Sequence, residues 1–258
     1  MPVAGKKYFF ISSLAKGLKV LELLSENETM TVTGVAESLA INRASSHRFL
    51  ATLRELGYVE KDENAKYSLS FKLMELGVRV LGRFEIRDIA RPFLKGLSTS
   101  FNETINLGFF NGKKIVHIDK IDSLELLRID ASLGTSAPAY STAIGKSILA
   151  HLSKKQLEDY FANTELRPLT PNTVTSKDLL LKELASIRGH GCAIDDEEFV
   201  AGLRCIGAPV FDYTGKVNYA ISVSGPAVRM GNKRVEEIQH KLIDVCQRLS
   251  KRLGNISG

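Results

Sequence analysis

The first seventy residues constrain this chain most, because three short bursts of helical periodicity follow one another there with almost no connecting chain. Leu14, Leu18, Leu21 and Leu24 recur at the spacing of one helix face, starting from Ser12 and Ser13. Val32, Val35, Ala36 and Leu39 form a second stripe behind Thr31, whose hydroxyl suits an N-cap. Phe49, Leu50, Leu53 and Leu56 form a third, which stops at Gly57, a residue free to adopt the left-handed conformation of a helix end. Ala40-Ile41-Asn42 alone separates the second stripe from the third, enough for a turn and nothing longer. Helices joined so tightly hold one helix proud of its support, as in a helix-turn-helix. Tyr58-Val59-Glu60-Lys61 and Lys66-Tyr67-Ser68-Leu69, on either side of the polar Asp62-Glu63-Asn64-Ala65, then read as a hairpin where a wing belongs. Residues 12–70 are therefore expected to form a winged helix-turn-helix.

The exposed helix of such a unit is expected to begin near Arg43. Its first turns, Arg43, Ala44, Ser45, Ser46, His47 and Arg48, are small or rich in donors, which suits contact with base edges and phosphates in a major groove. Lys61 and Lys66 on the wing are candidates for phosphate or minor-groove contacts. Residues 1–84 carry 12 Lys and Arg against 9 Asp and Glu. That excess of three is modest, so recognition must come from where the cations stand rather than from their number.

The whole chain, 258 residues long, is too large for a miniprotein and suits two unequal domains. Its 44% hydrophobic and 25% charged residues exclude a disordered chain, and no uncharged apolar run is long enough to span a bilayer. The segment from Lys6 to Ala15 superficially mimics a signal peptide, but Lys16 and Lys19 interrupt it, and it reads as an arm leading into the first helix. Three cysteines, Cys192, Cys205 and Cys246, lack close pair spacing and fit a reducing cytoplasm.

Between Phe71 and Arg83 the apolar residues are too many for one narrow stripe, so this linker helix is expected to pack against a partner subunit. A further helix follows from Ile86 to Phe101. The texture then turns to short strands: Thr104 to Phe110, Lys114 to Asp119 around the hairpin signal Asn111-Gly112, and Leu124 to Ala131 as the third strand of a meander. Helices are expected from about Ser141 to His151, Lys154 to Phe161 and Lys177 to Arg188, with strands near Cys205–Phe211 and Lys216–Ser224. A last helix carries Val235, Ile238, Leu242, Val245, Leu249 and Leu253. An antiparallel sheet with helices packed on it is α+β. The expected divisions are residues 1–70, a linker helix over 71–84, and a second domain over 85–258.

The stretch from Gly189 to Asp212 combines a flexible start, an acidic cluster and a closing strand. Here the sequence resembles the IclR family of bacterial transcription regulators. Gly191, Asp195, Glu198, Cys205, Ile206, Gly207, Val210, Phe211 and Asp212 match that family's C-terminal signature in spacing. Ala143-Ile144-Gly145-Lys146-Ser147-Ile148-Leu149-Ala150, Ser222-Val223-Ser224-Gly225-Pro226 and the helix-turn-helix recur in the family's order, so the likeness spans roughly residues 12–252. Ala44 and Ser46 depart from the serine and valine common at those places. The resemblance implies a winged helix-turn-helix, a linker helix and a GAF-like effector domain, assembling as a homodimer or homotetramer on double-stranded operator DNA. It implies a repressor or activator, frequently of a catabolic operon, that answers to a small organic or aromatic acid. The family's effector pocket carries over onto Leu126, Ile129, Ala143, Asp195, Cys205, Ser222 and Ser224.

The residues themselves support several of these positions. Ser222 and Ser224 are two apart on a strand, so both hydroxyls face the same way and can donate to a carboxylate. Ala143 stands near a helix start, where free N–H groups favour an anion. Leu126 and Ile129 are suited to an apolar wall. Asp195 repels an acid unless it is protonated or accepts a hydroxyl proton.

Two other classes compete. A thiol-dependent enzyme would use Cys205 with His190 and Asp195, although a Gly-His-Gly loop and an apolar strand are poor places to activate a thiolate. A pure sensor would use the N-terminal helices for a protein partner instead of DNA. His47, His117, His151, His190 and His240 show no metal-ligand spacing, and the reading includes no cofactor, no catalytic residue and no membrane association. A ligand-responsive DNA-binding regulator is the expected function.

Overall fold

The computed structural model describes residues 10–81, 86–127 and 132–255. Residues 6–9 of the N-terminal arm, 82–84 of the linker helix and 128–131 of the expected third strand lie outside them. The chain divides into two compact units, residues 1–84 and 85–258.

In the first unit α1 (Ser12–Glu26), α2 (Val32–Ser38) and α3 (Arg43–Glu55) precede a hairpin of β1 (Val59–Lys61) and β2 (Tyr67–Leu69), and α4 (Phe71–Leu81) follows. Thr31 caps α2 by accepting the Gly34 N–H at 3.1 Å. The turn before α3 closes through Ala40, which takes a left-handed φ of 50°, and the Ile41 N–H donates to the Ala36 carbonyl at 2.9 Å. Val20, Leu24, Val35, Leu50, Val59 and Tyr67 form one core, so both helix periodicity and the hairpin feed the same interior. The α1 stripe divides differently from its sequence pattern. Leu24 is buried, whereas Leu14 and Leu18 are more than half exposed.

The second unit is built on a six-stranded antiparallel sheet in the order β5-β4-β3-β8-β7-β6. Its strands are β3 (Thr104–Phe110), β4 (Lys114–Ile121), β5 (Ser136–Pro138), β6 (Ala193–Asp196), β7 (Leu203–Phe211) and β8 (Val217–Pro226). Helices α5 (Ile86–Phe101) and α9 (Asn232–Arg252) pack on one face. On the other lie α6 (Ala143–Leu149) and, around it, α7 (Lys154–Ala162) and α8 (Lys177–His190), closing a core of Ile115, Ile144, Ile148, Tyr160, Leu180 and Leu184. The third strand of the meander is a correction to the sequence reading. Leu124–Leu127 form a bend with exposed side chains, and the strand that pairs with β4 is β5, which starts twelve residues after the predicted start. Alternating polarity around Leu124 does not suffice to make a strand when no edge is offered to it.

Two glycines let α6 approach its supports. A Cβ on Gly207 of β7 would stand 2.5 Å from the carbonyl carbon of Ala143, and one on Gly145 would stand 2.2 Å from the carbonyl oxygen of Ala139. Neither has room for a side chain, so α6 starts in backbone contact with the sheet.

Candidate functional site

The first candidate site is the exposed side of α3. Asn42 caps the helix by accepting the Ser45 N–H at 2.8 Å, which sets the start of α3 at Arg43 as the sequence predicts. Leu50 is buried beneath, and Arg43, Ala44, His47 and Arg48 point to solvent, where Ser45 is half-buried. Ser46 corrects the sequence reading. It is fully buried, and its hydroxyl donates to the Val32 carbonyl at 2.8 Å, so it braces α3 against α2 and cannot meet a base. Its place three positions before the half-buried Phe49 and four before the buried Leu50 puts it on the face that α3 turns inward. Lys61 and Lys66 are exposed on the hairpin, with the Lys61 ammonium 5.7 Å from the centre of the Tyr67 ring.

The second is a concavity in the effector-side unit, enclosing about 450 Å³ with its open mouth included. Sheet register assembles it in two adjacent rows. Asp195 on β6 is opposite Cys205 on β7, which is opposite Ser224 on β8. Two residues along, Gly207 is opposite Ser222, which is opposite Asn106 on β3. Because Gly207 carries no side chain, the start of α6 fills its place and brings Ala143 to the cavity wall. Ile115, Ile144, Phe199 and Leu203 add apolar surface, and His117 adds an imidazole from β4.

Burial governs the chemistry of this cavity. Desolvation pushes the Asp195 carboxyl up to about 7, and the nearby Glu198 adds to the rise; N–H groups of Glu198 and Phe199, at 2.8 and 3.3 Å from Oδ1, and the Lys146 charge oppose it. Near neutrality Asp195 therefore divides between a donor and an acceptor form. Burial, then the Asp195 charge, pushes the Cys205 thiol up, which suppresses the thiolate. His117 is held below the usual imidazole range by burial and then by Lys120, which keeps it neutral. The buried cation behind the cavity is already committed. Lys146 is fully buried, with Nζ 2.5 Å from Glu183 Oε1 and also bonded to Glu198 Oε1. Glu198 is itself raised by burial against the pull of that lysine.

Of the residues expected from the sequence, Ala143, Asp195, Cys205, Ser222 and Ser224 line this one cavity. Leu126 does not. Its side chain is fully exposed in the bend after β4, so it supplies no wall. Ile129 lies outside the described residues.

Comparison with known proteins bears on both sites. Residues 13–63 match the IclR helix-turn-helix domain, and residues 78–251 match the bacterial transcriptional regulator IclR C-terminal domain. The chain belongs to the IclR family. Among its relatives, the HTH-type transcriptional regulator KdgR of Escherichia coli is 36% identical over 95% of this chain and 93% of its own length. The DNA-binding transcriptional repressor YiaJ of the same species is 34% identical, over 94% of this chain and 88% of its own. The crystal structure of Thermotoga maritima IclR superposes with a TM-score of 0.77 at 34% identity, covering 94% of this chain and 98% of that one. The protein is thus an IclR-family DNA-binding transcriptional regulator with a C-terminal effector domain.

Membership in the IclR family goes with a cavity that is poor at catalysis. The thiol-enzyme alternative fails on geometry: His190 is exposed at the end of α8, with Nδ1 2.8 Å from the Ser186 carbonyl, and is not among the cavity residues. Cys205 is thus not paired with His190, and burial raises its thiol. Among the described residues no group of side chains is arranged to hold a metal ion, and no helix is long and apolar enough to cross a membrane.

Sequence reasoning missed Asn42, Asn106, His117 and Phe199. A signal existed for Asn106, a polar amide at the centre of a strand otherwise rich in apolar residues. Phe199 had none, because it reaches the cavity through the loop that Asp195 holds.

Proposed function

We propose that this IclR-family regulator is a repressor of a catabolic operon, binding operator DNA as a homodimer or homotetramer and taking a small organic or aromatic acid into the cavity of its C-terminal unit. The observation that carries the reading is the convergence of Ser222, Ser224, Asp195, Cys205 and Ala143, from four elements, on one concavity. Serine hydroxyls donate to a carboxylate. Phe199, Leu203, Ile115 and Ile144 accommodate an apolar or aromatic body.

On DNA, Arg43, Ala44, Ser45, His47 and Arg48 form the contact edge of α3, and Lys61 and Lys66 meet phosphates. Self-association is supported by α4, where Phe71 is 77% and Met74 61% exposed, and by the exposed Leu14, Leu18 and Leu56 of the same unit. The effector acts through the linker helix α4, which sets how paired recognition helices match their half-sites. The repressor role accords with that of its relative, the DNA-binding transcriptional repressor YiaJ. Three buried, unpaired cysteines suit a reducing cytoplasm.

Footprinting on the region upstream of the protein's own gene tests the reading. Protection that weakens steeply with salt, and that Arg43→Ala and Arg48→Ala each reduce by about tenfold or more, is expected. Deleting the gene should raise transcription from that promoter, and a fall instead would make the protein an activator.

A further inference from the structure

Among the described residues that line the cavity Asn106 is the one amide, and nothing in the family-derived pocket includes it. It is 2% exposed, on the central strand β3, and lines the cavity wall. Its Nδ2 points to both pocket serines, 3.5 Å from Ser222 Oγ and 3.3 Å from Ser224 Oγ, and those two hydroxyls are 3.3 Å from each other. These contacts fix the amide plane. The amide contacts occupy serine lone pairs and the serine pair shares one hydroxyl hydrogen, so the other hydroxyl hydrogen is left for an outside acceptor such as a carboxylate. The other end of the amide, Oδ1, is buried and has no partner within the protein. A buried carbonyl oxygen of this kind is costly unless something donates to it.

The rest of the lining sharpens what that donor must be. Lys146 is held by Glu183 and Glu198, so it does not reach out as a counter-charge. His117 Nδ1 is likewise buried without a partner, on the strand next to Asn106. Asp195 adds a carboxyl with one oxygen already bonded to backbone N–H groups. Among the described residues that line the cavity no free cation stands beside these groups, and Asn106 Oδ1 is an open acceptor that an unsubstituted acid, which brings only acceptors of its own, does not satisfy.

Resting on the reading of this cavity as an acid-effector site, we infer that Asn106 is a specificity-determining residue that reads a hydroxyl group on the effector, so that the ligand class is a hydroxy acid. The carboxylate takes the serine hydroxyls, and the effector's hydroxyl donates to Asn106 Oδ1. The preference arises from the penalty of leaving Oδ1 unpaired when the hydroxyl is missing.

Calorimetry on the full-length protein with matched pairs of acids tests this: lactate against propionate, 3-hydroxybutyrate against butyrate, and 4-hydroxybenzoate against benzoate. In whichever pair binds, the hydroxy member is expected to bind at least about tenfold more tightly. Asn106→Leu should abolish that ratio by weakening the hydroxy member alone, and Asn106→Thr, which fits a strand and keeps a smaller acceptor, should give an intermediate ratio. A residue that merely braces the serines would lower both members equally. Equal binding of a pair by the unaltered protein, or a ratio left undiminished in Asn106→Leu or, should that variant not fold, in Asn106→Thr, overturns the role of Asn106 and leaves the acid-effector reading standing. No binding of any of the six acids at millimolar concentration overturns both.

Discussion

The two candidate sites handle charge in opposite ways. On α3 and the hairpin, Arg43, Arg48, Lys61 and Lys66 stand in solvent, where an ammonium or guanidinium keeps its hydration until a phosphate replaces it. In the second unit Asp195, Glu198 and Lys146 are out of water, and each survives there only through its neighbours. The surface site can lose a residue with little effect on folding, because its side chains support nothing. The cavity cannot, since its polar groups are part of the core. The difference teaches that a DNA face is specified by which residues are left outside, and an effector cavity by which are drawn in.

The sharpest way to break this contrast is Lys146→Met. Removing the cation leaves Glu183 and Glu198 beside an apolar side chain, and urea denaturation should record a loss of up to about 5 kcal/mol; adding Glu198→Gln should recover part of it. Asp195→Asn comes next and acts through pH. The Asp195 carboxyl ionises near 3.8 in an unfolded chain and about 7 in the folded one, so the stability it contributes is complete below the lower value and lost as pH rises through the upper. Thermal melts from pH 4 to 8 should be flatter for Asp195→Asn, and at pH 8 the variant should gain on the order of 4 kcal/mol over the unaltered protein.

Smaller effects are expected in the first unit. Asn42→Ala removes the cap of α3 and should cost about 1 kcal/mol of stability, with weaker DNA binding because the helix start frays. Ser46→Ala should lower the melting temperature by the equivalent of about 1 kcal/mol through loss of the bond to Val32, while the operator footprint keeps its sequence pattern. An altered base preference in Ser46→Ala would put that residue at the DNA and blur the line between buried support and exposed contact.

Much of the fold is legible in local pattern. The start of α3, the hairpin after it, the Asn111-Gly112 turn between β3 and β4, and the apolar stripe of α9 all follow from spacing and turn chemistry over a few residues. Leu126 shows where that reasoning stops. Its sequence neighbourhood suits a strand, yet β4 takes its partner from Ser136–Pro138, and the bend carrying Leu126 is left in solvent. Ser46 shows it again, since a hydroxyl at the front of a recognition helix looks available until α2 is packed on it.

By itself the sequence determined the helices, most strands and the family, because helix stripes, turns and capping depend on neighbours only a few positions apart. Tertiary structure alone decided that Asn106 meets Ser222 and Ser224, more than a hundred residues away, and that Lys146 is spent on two carboxylates. Such contacts are set by sheet register and by the close seating of α6 on Gly207, quantities that no local periodicity encodes.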